Sequence, residues 1–349
     1  MAEAEGSIPF VSTREIQEGR PCGGAPLLVD VRGERAVGLL DESSYTECRL
    51  CPRGCAVDRT VPGPRGVCGQ GDGVRVARAA LHYWEEPPIS GEAGSGAIFF
   101  SGCPLGCVFC QNHRISSEGF GRPVSVRRLA MMMLELQGQG ALNVNLVTAL
   151  HFAPQVARAV ALARGAGLSI PVLCNTSGYE RPELVAALDG VVDVWLADFK
   201  YASPDLAARY SRARDYPRVA AAALSQMVAQ VEARGGRRLA PDGTMLQGVV
   251  VRHLVMPGAS DDSVAVLDRV WEIGGNRVDL SVMNQYTPNA ECRARGDELS
   301  RTVTGAEYER VLDHADDLGF ERMWWQQGGT VSESFVPEFD DTGVAGPEL

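Results

Sequence analysis

From about residue 96, short apolar runs alternate with amphipathic or alanine-rich stretches. The apolar runs have the length and composition of buried strands, and the stretches between them have the spacing of helices. The seven predicted strands are 97–100, 144–147, 170–173, 191–197, 246–255, 278–283 and 322–325. The six predicted helices are 126–137, 154–164, 182–188, 217–234, 263–273 and 306–318.

Several of these helices open with residues that favour a helix start. Ser125 precedes the first helix, Pro154 and Pro182 suit a first turn, and the run 260–262 (Ser-Asp-Asp) is expected to cap the fifth helix. Strands that alternate with helices of this length indicate consecutive βα units on a parallel sheet. The predicted fold is therefore α/β, a partial (β/α)6 TIM-like barrel whose reactive strand ends meet at one mouth.

Three regions follow from this pattern. Residues 1–90 form a Cys-rich N-terminal segment, residues 91–330 form the barrel, and residues 331–349 form an acidic tail that we expect to be solvated.

Composition and charge narrow the class of protein. Among 349 residues, 45% are hydrophobic and 22% are charged, which is typical of a globular protein. The net charge is −11 and basic residues are not clustered, so nucleic acid is not an expected partner. The sequence has no uncharged apolar run long enough to predict a membrane span, and its acidic start does not resemble a signal peptide. We expect a soluble, cytoplasmic protein.

Seven of the ten cysteines fall in two groups. The second group along the chain is Cys103, Cys107 and Cys110, directly after the first predicted barrel strand. Clustered cysteines in a reducing compartment are typical metal ligands. Three thiolates on a [4Fe–4S] cluster leave one iron open to another ligand, whereas a closed site needs four. Three ligands of a zinc site completed by a distant residue are the alternative.

Residues 96–114 read GAIFFSGCPLGCVFCQNHR, and this segment resembles the radical S-adenosylmethionine (SAM) superfamily. Within this superfamily, the motif FFSGC…FCQN resembles the pyruvate formate-lyase activating enzyme and its relatives. The resemblance covers roughly residues 45–327. The resemblance implies a radical SAM barrel in which Cys103, Cys107 and Cys110 hold a [4Fe–4S] cluster and SAM binds the fourth iron. It implies reductive cleavage of SAM to a 5′-deoxyadenosyl radical that abstracts a hydrogen atom.

The resemblance also places SAM-binding or catalytic groups at the ends of later strands. His151 follows the second strand, and Asn175 and Ser177 follow the third, where ordinary turn chemistry is the alternative. Asp198 and Lys200 end the fourth strand, and Lys200 is the only lysine among 33 basic residues.

The fifth and sixth strands supply the remaining candidates. Arg252 is a charged residue in the apolar fifth strand, so it must enter a polar interior or an ion pair. It is expected to contact SAM, with His253 facing the opposite side. Gln285 and Tyr286 end the sixth strand as possible adenine or substrate contacts.

The first cysteine group is Cys48, Cys51, Cys55 and Cys68, whose spacing predicts a complete four-thiolate site. Such a site holds either structural zinc or a second [4Fe–4S] cluster, and the need for electrons favours the cluster. The isolated Cys22, Cys174 and Cys292 are expected to be buried apolar residues or inert thiols.

The expected partners are SAM, an electron donor such as flavodoxin or ferredoxin, and a substrate. That substrate is a glycyl-radical enzyme, another protein or a small metabolite. The competing class is a non-catalytic iron–sulfur carrier or metal-stapled scaffold, but a carrier gains nothing from an iron with an open position.

Overall fold

A computed structural model describes residues 10–12, 38–63, 65–326 and 336–349. The prediction for Cys22 and that for residues 331–335 lie outside these described residues.

The strands form one sheet in the order β1-β11-β10-β9-β7-β6-β5-β3-β2-β4, with β8 paired to β9. Every neighbouring pair from β3 through β11 is parallel, and the two ends of the sheet carry antiparallel strands. The seven predicted barrel strands are confirmed, and the open order confirms a partial barrel. The strands are β1 Phe10–Ser12, β2 Arg75–His82, β3 Ser95–Phe100, β4 Arg122–Pro123, β5 Val144–Val147, β6 Val172–Thr176, β7 Val194–Asp198, β8 Arg238–Leu239, β9 Met245–Leu254, β10 Asp279–Met283 and β11 Met323–Gln326.

A helix follows each parallel strand before the next one begins, which confirms the six βα units. The helices are α1 Pro87–Ser90, α2 His113–Ser116, α3 Val126–Gly138, α4 Ala153–Gly165, α5 Pro182–Ala187, α6 Pro204–Ser211, α7 Tyr216–Ala233, α8 Ser260–Gly274, α9 Ala290–Arg295 and α10 Gly305–Leu318. Short 3-10 turns are Gly38–Leu40, Glu42–Tyr45, Leu150–Phe152, Gly275–Arg277 and Glu298–Ser300.

The helix-start predictions are mostly confirmed. The Ser125 side chain accepts the N–H of Arg128, and Pro154 and Pro182 lie in first turns. The predicted cap of the fifth helix is wrong: α8 begins at Ser260 itself, and no side chain caps it. The Asp262 carboxylate instead accepts hydrogen bonds from the backbone N–H groups of residues 202 and 203, which directly precede α6.

Both faces of the central strands are buried, which explains their continuous apolar sequence. In β9, Val249 and Val251 pack outward in the cluster that contains Leu267 of α8. Val250 points inward, where it packs with Leu173, Val194 and Trp324.

The N-terminal end of the barrel is closed by the connection between β2 and β3. Ile89 of α1 is fully buried and packs against the inward-facing residues of β6, β7, β9 and β11. Residues 75–90, which the sequence pattern assigned to the N-terminal segment, are therefore part of the barrel. The sequence pattern did not predict this, because the segment joins the barrel through one strand at the edge of the sheet and one buried residue, Ile89, and therefore has few apolar positions.

The N-terminal cysteine segment is held to the barrel by polar contacts as well as by Tyr45 and Leu50, which are buried in its apolar core. Cys48 and residues 56–57 exchange backbone hydrogen bonds of 2.9 Å, which form a tight loop. Arg59 is 2% exposed, with its guanidinium 4.4 Å from the centre of the Tyr45 ring. It also donates to the carbonyls of Gly71 and His151, and so ties the segment to the barrel.

The C-terminal residues 336–349 pack on the barrel, in contrast to the solvated tail that their acidity predicted. Phe339 and Val344 are buried, and the N–H of Ala79 in β2 donates to the Thr342 carbonyl at 2.8 Å. The buried Arg128 guanidinium donates to several tail carbonyls, including that of Val344 at 3.0 Å. Two apolar side chains and one buried arginine outweigh the unfavourable composition of this segment.

Candidate functional site

The loop that carries Cys103, Cys107 and Cys110 leaves the C-terminal end of β3 through a glycine. Gly102 has a φ of +82°, and a Cβ there would lie 2.5 Å from the carbonyl oxygen of Cys68. Only glycine satisfies both conditions. The two cysteine groups are thus in backbone contact at this position.

Each thiol of the loop accepts at least one hydrogen bond. The Cys103 Sγ accepts from the backbone of Leu105 at 3.4 Å, Cys107 from the Ser211 hydroxyl at 3.0 Å, and Cys110 from the Ser116 hydroxyl at 3.3 Å. Donors to sulfur stabilise thiolates and tune a bound cluster.

Burial raises the pKa of all three thiols, to about 11 for Cys103. The neighbouring thiols raise the pKa of each further, while the Lys200 ammonium lowers it. The three thiols and Lys200 also line the same cavity. The thiols become thiolates when a metal binds them, since coordination deprotonates a thiol outright.

A cavity of about 230 Å³ opens beside the three thiols, at the C-terminal ends of the strands. Most residues predicted from the strand ends line it together: Cys103, Cys107, Cys110, Asn175, Ser177, Asp198, Lys200, Arg252, Gln285 and Tyr286. A parallel barrel gathers polar groups at this mouth, as expected.

Lys200 and Asp198 form an ion pair at this mouth, with both side chains about one-fifth exposed. Burial works to lower the pKa of Lys200, but Asp198 and then Cys107 more than reverse this effect, so the pKa is raised. Lys200 therefore stays protonated, as a cation facing the cysteine loop.

The strand-end residues Asn175 and Ser177 lie where they were predicted, in a turn that also shows ordinary turn chemistry. The Ser177 hydroxyl accepts the N–H of Tyr179 at 3.4 Å, and Gly178 has a φ of +75°. On the preceding strand end, Thr148 has a φ of +58°, and its N–H donates to the Asn175 carbonyl at 2.8 Å. A threonine in this backbone region is unusual and marks this edge of the cavity as constrained.

Arg252 enters the barrel interior but is occupied by an ion pair there. Its Nε donates to a Glu86 oxygen at 2.8 Å, and its Nη2 contacts the carboxylates of both Glu85 and Glu86. The three side chains are buried. Arg252 also lines the cavity, so its expected contact with SAM stays a prediction. Its two carboxylate partners are residues that sequence reasoning missed. Arg252 itself was the sequence signal for these partners, because a buried guanidinium requires an acidic partner.

The two histidine candidates lie outside the cavity. His151 is 3% exposed, and its Nε2 is 2.9 Å from the Ser101 carbonyl, so it supports the cysteine loop from behind. Burial and then Arg59 lower the pKa of His151 to about 3, so the ring is neutral. His253 contacts the Phe199 carbonyl and faces away from the side of Arg252, as strand alternation predicted.

The four cysteines of the N-terminal group are also neighbours. Burial raises the pKa of Cys51 to about 12, and the nearby Cys68 and Cys55 raise it further. Burial likewise raises the pKa of Cys68, against Arg59 and together with Cys48 and Cys55. The group therefore brings four thiols into one electrostatic neighbourhood.

Arg53 lies between the second and third cysteines of this group and clamps it onto the barrel. Its guanidinium donates to the carbonyls of Pro104 at 2.8 Å and Leu105 at 3.0 Å in the other cysteine loop. It also donates to the carbonyls of Ser211 and Arg212. A second cavity of about 490 Å³ is lined jointly by residues of both groups, Cys68, Cys103 and Cys107 among them.

Across the described residues, no three His, Cys, Asp or Glu side chains are grouped so as to hold one metal ion. A [4Fe–4S] cluster distributes its thiolates over separate irons, so its ligands need not converge on one point.

The isolated Cys174 and Cys292 are fully buried, as predicted. Within the same ranges, no helix is long and apolar enough to cross a membrane.

Comparison with known proteins agrees with the cysteine motif. Residues 97–270 match the sequence profile of the family described as the Radical SAM superfamily. Over 309 residues the chain is 26% identical to the uncharacterized protein MJ0674 of Methanocaldococcus jannaschii, covering 86% of this chain and 81% of that protein.

Two solved structures are similar at low identity. SuiB of Streptococcus suis bound to S-adenosylmethionine has 12% identity and a TM-score of 0.45, over 64% of this chain and 48% of that chain. This chain therefore spans about half the length of SuiB. A radical SAM methyltransferase from Sphaerobacter thermophilus has 13% identity and a TM-score of 0.42, over 67% of each chain.

Proposed function

We propose, from the radical SAM domain that residues 97–270 form, that this protein cleaves SAM at a [4Fe–4S] cluster held by Cys103, Cys107 and Cys110. A [4Fe–4S] cluster and SAM are the cofactors of that superfamily. The observation that carries the assignment is that three partly buried thiols, each with a hydrogen-bond donor, line one cavity with the polar strand ends.

The donor set fits this pair of cofactors. Three thiols without a fourth cysteine in the loop leave one iron for a non-protein ligand. Beside them, the cavity offers an ammonium, carboxylates, amides and a hydroxyl, which match the amino, carboxylate and ribose groups of SAM. When bound, the reduced cluster and SAM supply a 5′-deoxyadenosyl radical, which takes a hydrogen atom from a substrate.

In this proposal the residues of the chain bind and orient. Lys200 stays protonated beside Asp198 and attracts the SAM carboxylate, while Asp198 fixes the direction of the ammonium. Asn175 and Ser177 hold the ribose or the amino acid end. His151 acts as a positioning residue, since it holds the Ser101 carbonyl at the start of the cysteine loop.

We further propose that Cys48, Cys51, Cys55 and Cys68 hold a second [4Fe–4S] cluster that relays electrons from a donor such as flavodoxin or ferredoxin. The support is positional: Gly102 brings the two groups into backbone contact, and Arg53 clamps one onto the other. A structural zinc ion would stabilise the segment equally well, but it could not transfer electrons to the neighbouring cysteine group.

The finer proposal concerns the source of the hydrogen atom. Activation of a glycyl-radical enzyme is supported by the FFSGC…FCQN resemblance, and modification of a small metabolite or another protein is the alternative. Glycyl-radical activation predicts a radical signal in electron paramagnetic resonance (EPR) of a partner enzyme after incubation with reduced protein and SAM.

The test uses full-length protein reconstituted without oxygen. Iron, sulfide and zinc are counted, dithionite and SAM are added, and 5′-deoxyadenosine is measured by mass spectrometry. We expect deoxyadenosine from the wild type and none from the variant in which Cys103, Cys107 and Cys110 are all alanine. The matched control is C174A, which removes a buried thiol outside both groups. A fully loaded, reduced wild-type protein that forms none, with cell extract present as a substrate source, would favour the carrier or scaffold class.

A further inference from the structure

The connection between β2 and β3 contributes two carboxylates to the floor of the 230 Å³ cavity, beside Arg252 of β9. Glu85 and Glu86 immediately precede α1, whose Ile89 plugs the barrel. Both glutamates line the cavity, and Glu86 is fully buried. Two adjacent carboxylates are therefore held inside the barrel by an apolar anchor.

The charges at this floor do not balance. Arg252 is shared by the carboxylates of Glu85 and Glu86, so one negative charge is left over. Burial works to raise the pKa of Glu85, but Arg252 more than reverses this and keeps the carboxylate ionised. Burial lowers the pKa of the nearby His82, so this ring does not supply the missing cation. Asp198 and Lys200, at the mouth, neutralise each other.

Unpaired polar atoms at the same level form a second, independent observation. Asn145 is fully buried, and its Nδ2 donates to a Glu85 oxygen at 2.8 Å, while its Oδ1 has no partner. Ser281, which lies beside Arg252 in the sheet register, has a fully buried hydroxyl without a partner. A buried acceptor without a donor is costly and calls for a ligand that donates.

We propose that this floor binds the cationic group, an ammonium or a guanidinium, of the substrate from which the hydrogen atom is taken. Glu85 is its ion-pair partner, while Arg252, Glu86 and the Asn145 amide hold Glu85 in place. This substrate class rests on the proposed function, because it assigns the same cavity.

The test measures binding of n-butylammonium and n-butylguanidinium to the reconstituted full-length protein by calorimetry, with n-butanol as the neutral probe. Each titration is run with and without saturating SAM. We expect the wild type to bind at least one of the cations with SAM present, and to bind butanol at least tenfold more weakly. E85Q should bind that cation at least tenfold more weakly than the wild type. E92Q, which alters an exposed glutamate of the same connection, should bind like the wild type.

Equal binding of the cation by E85Q and the wild type would overturn the proposal, and so would a wild type that binds neither cation. Loss of cation binding when SAM is added would show that the floor serves the sulfonium cofactor instead of a substrate. If E85Q does not fold, N145L keeps every charge and removes the hydrogen bond that holds the Glu85 carboxylate, and it should weaken cation binding. Deoxyadenosine formation by the wild type is measured separately. Its absence rejects the proposed function, whereas normal formation with unaltered binding by E85Q or N145L rejects only the substrate class.

Discussion

Replacing Arg53 by lysine tests whether the N-terminal cysteine group is clamped to the loop that carries Cys103, Cys107 and Cys110. The guanidinium donates to four carbonyls, those of Pro104, Leu105, Ser211 and Arg212, and three of these bonds are partly buried. A lysine ammonium is a point charge on a flexible chain and cannot span both pairs of carbonyls. R53K therefore keeps the charge and loses the geometry.

The magnitude follows from the bonds that are lost. Hydrogen bonds to a charged group contribute about 1.5 to 3 kcal/mol each, so the loss of two partly buried ones at the lower figure costs about 3 kcal/mol. If this energy holds the loop closed, its local opening becomes roughly a hundredfold more frequent. The Val108 amide is a suitable reporter, since it donates to the Tyr210 carbonyl at 2.9 Å across the same junction.

Hydrogen exchange followed by mass spectrometry measures this opening in the peptide that contains residues 103–110. The matched control is R49K, because Arg49 is exposed and pairs only locally with Glu47. We expect roughly hundredfold faster exchange of the Val108 amide in R53K, together with slower deoxyadenosine formation, and wild-type exchange in R49K. Unchanged exchange in a folded R53K protein would refute the clamp and, with it, the positional argument for an electron relay.

Three further predictions follow from the site and its surroundings. K200R should lower deoxyadenosine formation by roughly tenfold or more, because the loss of one charge-assisted bond in a buried site is worth about 1.5 kcal/mol or more; normal cleavage by this variant would remove Lys200 from the site. Changing Cys48 and Cys51 to alanine should reduce iron from about eight to about four per chain if the relay is a [4Fe–4S] cluster; zinc in the wild type at one equivalent would contradict the relay. Burial raises the pKa of Glu180 to about 7 from its usual 4.5, so the native state holds a proton that the unfolded state has lost between these values. Stability should therefore fall by about 3 kcal/mol as pH rises through this window and stay level above it. E180Q should abolish that slope in urea unfolding, and a slope that persists would place its origin elsewhere.

Local sequence pattern was sufficient for the parallel strands of the barrel and for the loop that carries Cys103, Cys107 and Cys110. Each parallel strand and each long helix is recognisable from its own run of apolar residues, since the period belongs to a single element. The spacing of Cys103, Cys107 and Cys110 is likewise local, and the resemblance to the radical SAM superfamily that it suggested is confirmed. The narrower resemblance to activating enzymes stays a prediction.

The candidate site residues also differ in whether local sequence or tertiary structure placed them. Lys200 and Asn175 line the cavity because the carboxyl ends of parallel strands meet at one mouth, whatever their side chains contact. Their contacts with SAM stay predictions. Arg252 was recognised as a buried charge, but its partners were missed, because Glu85 and Glu86 belong to a segment without periodic pattern. His151 was misplaced, since the backbone after β5 turns its ring behind the cysteine loop.

The sequence by itself determined the parallel barrel strands, the main helices, their order and the spacing of the two cysteine groups, because these depend on residues close together in the chain. Only the tertiary structure decided which distant groups meet. It placed Glu85 and Glu86 beside Arg252, Arg53 on the loop after β3, and Phe339 of the acidic tail on the barrel. These contacts depend on side-chain direction and on which segment fills each end of the barrel. Both are settled by packing the whole chain at once, and no single stretch of residues records them.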